Sequence, residues 1–249
     1  MTQRELEERI DEQLAADLGL TPAVWALPGQ VTAALWREDA RRRRYREGHP
    51  FFLGHIRRGA AAFAVHEQLL PWAEKFLTGV EPEWCLDYAF LREMDGALRP
   101  FGWTIANAHP FFAPDLSAPS LRPAFPVAWY EGEALERFRG DGRWAGTLAF
   151  QPNFPDLLAA AALDESGAPI GMAAVSRDGA RLWQIGVNVL PAYRGRGIAS
   201  GLTACLKDEV LRRGAVPFYG TAQSHIVSLN TARRAGFRPA WAEVWAKPL

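Results

Sequence analysis

A glycine- and arginine-rich segment, PAYRGRGIASG, carries the clearest chemistry in this chain. Gly195 and Gly197 place no side chain between a ligand and the backbone. A helix beginning near Ile198 would leave its first N–H groups without intrahelical partners, and its dipole would add about half a positive charge there. Arg194 and Arg196 supply cationic hydrogen-bond donors. The segment therefore predicts a binding site for an anion such as a pyrophosphate.

Known phosphate-binding patterns narrow the choice of ligand. A Walker A loop ends in Gly-Lys-Ser/Thr, and this segment has no such sequence. A dinucleotide fingerprint needs a glycine or alanine where Ser200 stands, so that pattern also fails. The pattern that remains is Arg/Gln-x-x-Gly-x-Gly/Ala, which Arg194, Gly197 and Ala199 satisfy. Because it is short, it is informative only together with the elements on either side.

These flanking elements would hold the loop between a strand and a helix. After the loop, apolar residues recur at helical spacing as far as Val210, and the sequence RRG is typical of a helix end. Over residues 125–249 the predicted order is β-α-β-β-β-α-β-α-β, with a hairpin at DESGAP. In the run LWQIGVNVL before the loop, apolar residues alternate onto one face at Trp183, Ile185, Val187 and Val189.

These motifs resemble those of the GNAT superfamily of acyl-CoA-dependent N-acyltransferases. VNVLPAYRGRGIASGL is similar to that family's acetyl-CoA pyrophosphate loop, and SHIVSLNTARRAGFRPAW is similar to its next motif. The resemblance covers about residues 125–249. It implies a mixed α/β sheet, of the α+β kind, that splays open between the strands at 182–189 and 216–220. Pantetheine would lie in the opening and pair with backbone groups near Val187 and Val189.

The resemblance also implies a set of coenzyme-binding residues. The backbone amides of Arg196, Gly197, Ile198 and Ala199 would wrap the pyrophosphate. Acetyl-CoA would be the cosubstrate, and no metal is expected. The full expected set covers the strand end, the loop and the second motif: Val187, Val189, Arg194, Gly195, Arg196, Gly197, Ile198, Ala199, Ser200, His225 and Ser228.

The second motif departs from the family pattern. Many members carry a tyrosine four residues before Gly-Phe and an asparagine earlier; here Ala232 and His225 hold those places, while Ser228 fits. A thiolate whose pKa is about 8.5 is a tolerable leaving group without that tyrosine. Tyr219, on the strand across the expected opening, is a catalytic candidate that could face the thioester. A core or groove-lining role is its alternative.

A general base is harder to identify from the sequence. Some members of the family use a glutamate at the start of the strand before the loop, but Trp183 and Gln184 occupy that place here. His225 is the first candidate, and a chain of water molecules is an alternative to any side chain. For each candidate, a structural or solvated role competes with catalysis. The side chains considered are His225, Glu131, Glu133, Asp156, Glu165 and His109.

The first half of the chain is expected to form a smaller α/β domain over residues 1–108. A proline-rich linker or crossing loop at 109–126 would separate it from the acetyltransferase domain at 127–249. Two helices are predicted, at Arg4–Leu18 and Val31–Arg46. The run ARRRRYRE at the end of the second would complement the helix dipole, with an anion-binding patch as the alternative.

The rest of this first domain is predicted from periodicity. AAAFAV and FGWTIANA are typical of strands. Between them, a stripe at helical spacing predicts a further helix with an apolar face formed by Trp84, Tyr88, Leu91, Met94 and Leu98.

Composition excludes several classes of protein. Lys plus Arg number 28 and Asp plus Glu number 28, so no net charge favours nucleic acid or an anionic membrane. No apolar run is long enough to predict a transmembrane helix, and the charged first residues do not resemble a signal peptide. Two distant cysteines predict reduced thiols. We therefore expect a cytoplasmic protein.

The sequence leads to one preferred function and two alternatives. The preferred function is an acetyl-CoA-dependent N-acetyltransferase that modifies a primary amine of a small-molecule or peptide acceptor by direct attack on the thioester. A non-catalytic acyl-CoA sensor or partner-binding module is one alternative. A loop that binds some other phosphate compound is the second. A homodimer is a further expectation.

Overall fold

The structure, a computed structural model, describes residues 1–43 and 51–249. The helices are α1 (Gln3–Asp17), α2 (Leu70–Leu77), α3 (Tyr88–Leu98), α4 (Ile198–Arg212) and α5 (Ile226–Arg234). The strands are β1 (Val31–Leu35), β2 (Phe52–Arg57), β3 (Ala60–Val65), β4 (Trp103–Pro114), β5 (Val127–Glu131), β6 (Asp156–Leu163), β7 (Pro169–Ser176), β8 (Leu182–Val189), β9 (Val216–Gly220) and β10 (Phe237–Pro248).

The chain divides into two compact units that do not follow the predicted boundaries. One consists of Ile10–Phe111 and Ala240–Leu249, and the other of Met1–Arg9 and Phe112–Pro239. The predicted linker begins inside β4, which runs to Pro114. Pro110 and Pro114 lie in β4, where Phe111 and Phe112 are buried. Residues 115–126 form no helix or strand, as predicted for a linker or crossing loop.

The unit of residues 10–111 and 240–249 contains helices α2 and α3 and the strand order β1-β3-β2-β10-β4. β2 and β3 form an antiparallel hairpin, and β1 lies parallel to β3. Its core is formed by large apolar side chains such as Phe52, Phe63 and Met94. The predicted α1 and the predicted strands AAAFAV and FGWTIANA are confirmed.

The helix predicted at Val31–Arg46 is wrong. Val31–Leu35 is the strand β1, paired in register with Ala61–Val65 of β3. The segment VTAAL fits either conformation locally, and the hydrogen bonds offered by the open side of β3 select the strand. The second half of the run ARRRRYRE, from residue 44 onward, lies outside the described residues.

The apolar stripe predicted around α3 is correct in its second half. Met94 and Leu98 are fully buried and belong to the core. Tyr88, at the first turn of α3, is 75% exposed, and Trp84 lies before the helix and is 60% exposed. The apolar stripe therefore identifies the buried face in the second half of α3, but not at its first turn or before it.

The unit of residues 1–9 and 112–239 has the strand order β9-β8-β7-β6-β5. β5, β6, β7 and β8 are antiparallel neighbours, whereas β9 lies parallel to β8. This matches the element order predicted for the second half of the chain, with a short 3₁₀ helix at Gly132–Phe138 as its first helical element. The mixed α/β sheet is as expected.

Both faces of the central strands in this unit are covered. On β6 and β7, Ala160, Ala162, Ala173 and Val175 face α4 and α5, while Ala159, Ala161, Met172 and Ala174 face the segment from Leu135 to Leu148. Small side chains on both faces bring the covering layers close to the sheet. Because the strands are buried on both sides, their sequences read as continuous apolar runs.

Gly171 on β7 sets how closely the start of α4 approaches the sheet. A Cβ at this position would lie 2.7 Å from Ile198 Cγ2 and 3.2 Å from Val189 Cγ2. We expect Gly171→Ala to lower the free energy of unfolding by about 1–3 kcal/mol, because both neighbours are packed in the core. Urea denaturation measures this change.

The matched control is Gly96→Ala in α3, where a Cβ would meet nothing within 4 Å. That substitution should leave stability unchanged or raise it by up to about 1 kcal/mol, because alanine is the better helix former. Equal effects of the two substitutions would contradict the close packing of α4 on β7.

Candidate active site

Strands β8 and β9 share hydrogen bonds for only part of their length. Their parallel pairing comprises Leu182 with Val216, Trp183 with Pro217, and Gln184 with Phe218. β8 then continues to Val189 still paired with β7, while the ladder to β9 ends. The β8–β9 ladder therefore ends at Gln184 and Phe218, between the segments 182–189 and 216–220 where an opening was expected.

The backbone groups of Val187 and Val189 face this opening. The N–H of Leu190 donates to the carbonyl of Ile170, on the β7 side of the strand. Because successive residues of a strand point to opposite sides, the peptide groups of Val189 and Val187 point away from β7. The Val189 carbonyl accepts a hydrogen bond from Arg194 Nε at 3.0 Å.

The glycine-rich loop leaves open space at the start of α4. Gly195 and Gly197 both have φ of 78°, and a Cβ on either would meet nothing within 4 Å. Gly197 is the N-cap of α4 and offers no capping side chain. The first intrahelical bond runs from Gly201 N–H to the Gly197 carbonyl, so the amides of Ile198, Ala199 and Ser200 precede the helical ladder.

The two loop arginines have different positions. Arg194 ties the loop to the end of β8 through the Val189 carbonyl. The Arg196 guanidinium lies 5.3 Å from the ring centroid of Tyr193 and 3.3 Å from the Ala192 carbonyl, and the side chain is exposed. Arg194 and Arg196 are both exposed, so the loop offers cationic groups to an anion in solution.

Tyr219 and Ser228, two of the predicted residues, are in contact. The Tyr219 hydroxyl and Ser228 Oγ are 2.8 Å apart, joining β9 to α5. Tyr219 is 5% exposed and belongs to the core that packs on α4. Burial raises the pKa of Tyr219, and its hydrogen bond with Ser228 opposes that shift in part. The phenol is therefore protonated at neutral pH.

The candidate bases are dispersed. His225 is exposed at the N-cap of α5, where its side chain forms no capping hydrogen bond. Glu131 is ion-paired with Arg213, which holds the pKa of that carboxyl below its ordinary value. Glu133 and Glu165 are exposed. His109 belongs to the unit of residues 10–111 and packs edge-on against Trp245.

Asp156 is the candidate base that lies in a cavity. It pairs across the sheet with Ser176 of β7, which in turn pairs with Gln184 of β8. These three polar residues line a cavity of about 180 Å³ together with Thr147 and Gly186. Desolvation raises the pKa of Asp156, and hydrogen bonds from the backbone N–H groups of residues 149 and 150 limit the rise.

A larger cavity adjoins the first. It measures about 490 Å³ and is formed by residues between Phe138 and Gln151. Both cavities are bordered by Ala145, Leu148 and Ala149. Asp156 was a candidate from the sequence, but neither cavity was predictable, because the segment 138–151 carries no periodic pattern that places it against the sheet. The one local signal was the alternation along β8, where Gln184 and Gly186 fall on the opposite face from the apolar residues. This pattern indicates that the face with Gln184 and Gly186 is not packed as an apolar core.

No cluster of three or more His, Cys, Asp or Glu side chains that could hold a metal ion occurs in residues 1–43 and 51–249. In the same part of the chain, no helix combines the length and the apolar character needed to cross a bilayer.

Comparison with known proteins gives the family of the chain. No curated protein sequence matches it significantly. Solved structures with similar folds include a GCN5-related N-acetyltransferase-like protein from Streptococcus suis (16% identity, 98% of this chain and 100% of that chain, TM-score 0.48). GCN5-related N-acetyltransferases from Sphaerobacter thermophilus (19% identity, 76% and 72%, TM-score 0.48) and Kribbella flavida (20%, 61% and 62%, 0.46) are also similar.

The assignment itself rests on a family model and not on these distant structures. The model of the acetyltransferase (GNAT) family matches residues 103–237, which is more than half of the chain and includes the parted strands, the glycine-rich loop and α5. The chain therefore belongs to the GNAT acetyltransferase family, a family of acyltransferases.

Proposed function

We propose that this protein transfers an acetyl group from acetyl-CoA to a primary amine of a small-molecule or peptide acceptor. The observation that carries the proposal is the parting of β8 from β9 beside the bare start of α4. A parted sheet offers a slot for a thin, extended chain, and the helix start offers a site for its diphosphate. Coenzyme A has both parts, joined end to end.

The loop residues fit the diphosphate. The space beside Gly195 and Gly197 is open, and a side chain there would fill it. The amides of Arg196, Gly197, Ile198 and Ala199 would donate to the phosphate oxygens, with Gly195 and Ser200 completing the turn. The guanidinium of Arg196 adds a charge-assisted donor, which contributes about 1.5–3 kcal/mol.

The end of β8 fits pantetheine. The amide groups of pantetheine would pair with Val187 and Val189 in place of the missing part of β9. Since Arg194 already donates to the Val189 carbonyl, the Val189 N–H is the group left for the ligand. That N–H would also stabilise the oxyanion formed when the acetyl carbonyl is attacked. His225 and Ser228, on and before α5, would contact the coenzyme from the β9 side.

The chemistry needs one attack and three proton transfers. The ammonium loses a proton to solvent, and the nitrogen attacks the acetyl carbonyl carbon. The tetrahedral intermediate loses a second N–H proton, and the carbon–sulfur bond breaks to release a thiolate that takes up one proton. The products are the acetamide and the free thiol, so one proton passes to solvent overall. Bringing amine and thioester together in one site removes most of the entropic barrier to this reaction.

A substitution at Gly197 tests coenzyme binding. Gly197→Glu should weaken the binding of coenzyme A at least about tenfold, because a carboxylate would enter the space expected to hold the diphosphate. Isothermal titration calorimetry with coenzyme A measures this. Gly167→Glu is the control: Gly167 also has a positive φ, of 82°, and open space at its Cβ, but it lies in the β6–β7 turn.

Equal affinities in Gly197→Glu and the unsubstituted protein would overturn the proposed coenzyme site. If coenzyme A binds but acetyl-CoA releases no free thiol with any amine, the protein is instead an acyl-CoA sensor or partner-binding module. This second function is a candidate because Ala232 and His225 stand where many members of the family have a tyrosine and an asparagine. Binding of ATP or NAD in preference to coenzyme A would indicate another phosphate ligand.

Tyr219 is proposed as the proton donor to the leaving thiolate, with Ser228 orienting its hydroxyl. Tyr219→Phe removes the hydroxyl and keeps the ring that packs beside Phe237. We expect kcat to fall about tenfold to a hundredfold, with KM for acetyl-CoA nearly unchanged, because a general acid acts on the transition state.

Steady-state kinetics with release of free thiol as the readout checks this prediction. Tyr88→Phe serves as the control, because Tyr88 is 75% exposed at the start of α3 and belongs to neither the proposed coenzyme site nor the two cavities. An unchanged kcat in Tyr219→Phe would show that Tyr219 is only a core residue and that solvent protonates the thiolate.

A further inference from the structure

The cavity of about 180 Å³ beside β8 contains a carboxylate that lacks a cation. Arg139 influences Asp156 electrostatically, but Arg139 is paired with Glu136 and lies 4.3 Å from the ring centroid of Phe150. Within the described residues no Lys or Arg forms an ion pair with Asp156. A partly buried carboxylate without a countercharge is unfavourable, and a cationic ligand would relieve that cost.

One carboxylate oxygen of Asp156 has a structural role. Oδ2 accepts hydrogen bonds from Ala149 N–H at 3.0 Å and Phe150 N–H at 2.7 Å. These bonds hold the loop at Phe150, whose φ of 51° is unusual for a residue other than glycine. The other oxygen, Oδ1, receives no hydrogen bond from the described residues. Oδ2 therefore holds the loop, and Oδ1 remains available to a ligand.

A second polar group in the same cavity also lacks a partner. Thr147 lines the cavity and is 8% exposed, and its hydroxyl has no hydrogen-bond partner among the described residues. A buried hydroxyl without a partner is rare in native proteins and calls for an explanation. The Gln184 side chain, on the wall formed by β8, likewise receives no hydrogen bond in the described part of the chain.

The position of the cavity connects it to the proposed reaction. Gly186 forms part of its wall, and Gly186 directly precedes Val187, whose backbone is proposed to pair with the coenzyme. Residues along a strand rise about 3.3 Å each, so the cavity lies within about 10 Å of Val189 along β8. Gly186 has no side chain that could lie between the cavity and the backbone of Val187. There is also little room for one, because a Cβ at this position would lie only 3.1 Å from the Gly146 carbonyl oxygen.

We propose that this cavity is the ammonium subsite of the acceptor, with Asp156 Oδ1 as counter-ion and Thr147 and Gln184 as neutral hydrogen-bond partners. The larger cavity of about 490 Å³, lined by Phe138, Trp144 and Phe150 among others, holds the remainder of the molecule. The substrate class is thus a small primary amine with a compact apolar or aromatic body. The proposal rests on the acetyl transfer proposed above for its reaction, but its binding test does not require turnover.

Asp156→Asn is the decisive variant. Its amide oxygen still accepts from the N–H groups of residues 149 and 150, so the loop is retained while the charge is removed. The probes are phenethylamine, which is an ammonium at pH 7, and its uncharged isostere 2-phenylethanol. Binding to the full chain without coenzyme is measured by nuclear magnetic resonance titration. We expect the unsubstituted protein to prefer the amine and Asp156→Asn to bind it about tenfold or more weakly.

Asp164→Asn is the matched control. Asp164 also accepts backbone hydrogen bonds, from Ser166 and Ala168, but it lies in the β6–β7 turn and lines neither cavity. Its amine affinity should equal that of the unsubstituted protein. The proposal is wrong if the unsubstituted protein binds amine and alcohol alike, if it binds neither, or if Asp156→Asn retains the preference for the amine.

Thr147→Val separates a ligand role from a structural role. If the hydroxyl serves a ligand, this isosteric change should lower amine affinity several-fold and leave thermal stability unchanged or higher. Lower stability with unchanged amine affinity would contradict the assignment of Thr147. Amine binding without release of thiol from acetyl-CoA would overturn the proposed acetyl transfer while supporting the ammonium subsite.

Discussion

The early end of the β8–β9 ladder is the constraint from which the site derives. Two parallel strands share three residue pairs and then separate, so the open side of β8 carries peptide groups without a neighbouring strand. Such groups need partners, because an unsatisfied buried peptide group costs about 1–3 kcal/mol. Arg194 supplies one for the Val189 carbonyl. An extended ligand that carries amides would supply the others, which is the basis of the proposal that pantetheine binds here.

The two faces of β8 have different surroundings. On one face, Ile185 and Val189 pack with α4 and with Tyr219. This apolar core fixes the start of α4 relative to the end of β8. On the other face, Gln184 and Gly186 border a cavity. Alternation along a single strand therefore lets the same eight residues support the glycine-rich loop on one face and form a wall of the cavity on the other.

Charge distribution separates the structural carboxylates from the one proposed to bind ligand. Arg213 pairs with Glu131 and lowers the pKa of that carboxyl group. Hydrogen bonds from Arg212 and then Arg213 lower the pKa of Glu209 to about 2. At Asp156 the dominant influence is desolvation, which raises the pKa. The difference follows from position: the first pairs lie at the protein surface, whereas Asp156 stands at the start of β6 against a cavity.

Local patterns in the sequence determined most of the second half of the chain. The alternation in LWQIGVNVL, the DESGAP turn and the glycines at 195 and 197 act over a few residues, so strand, hairpin, loop and helix were predictable and carried the family resemblance. Only the tertiary structure decided the rest. VTAAL became β1 because β3 offered it hydrogen bonds, and Asp156, Ser176 and Gln184 met because of the register of three strands. Register and pairing depend on residues distant in the chain, which local periodicity does not encode.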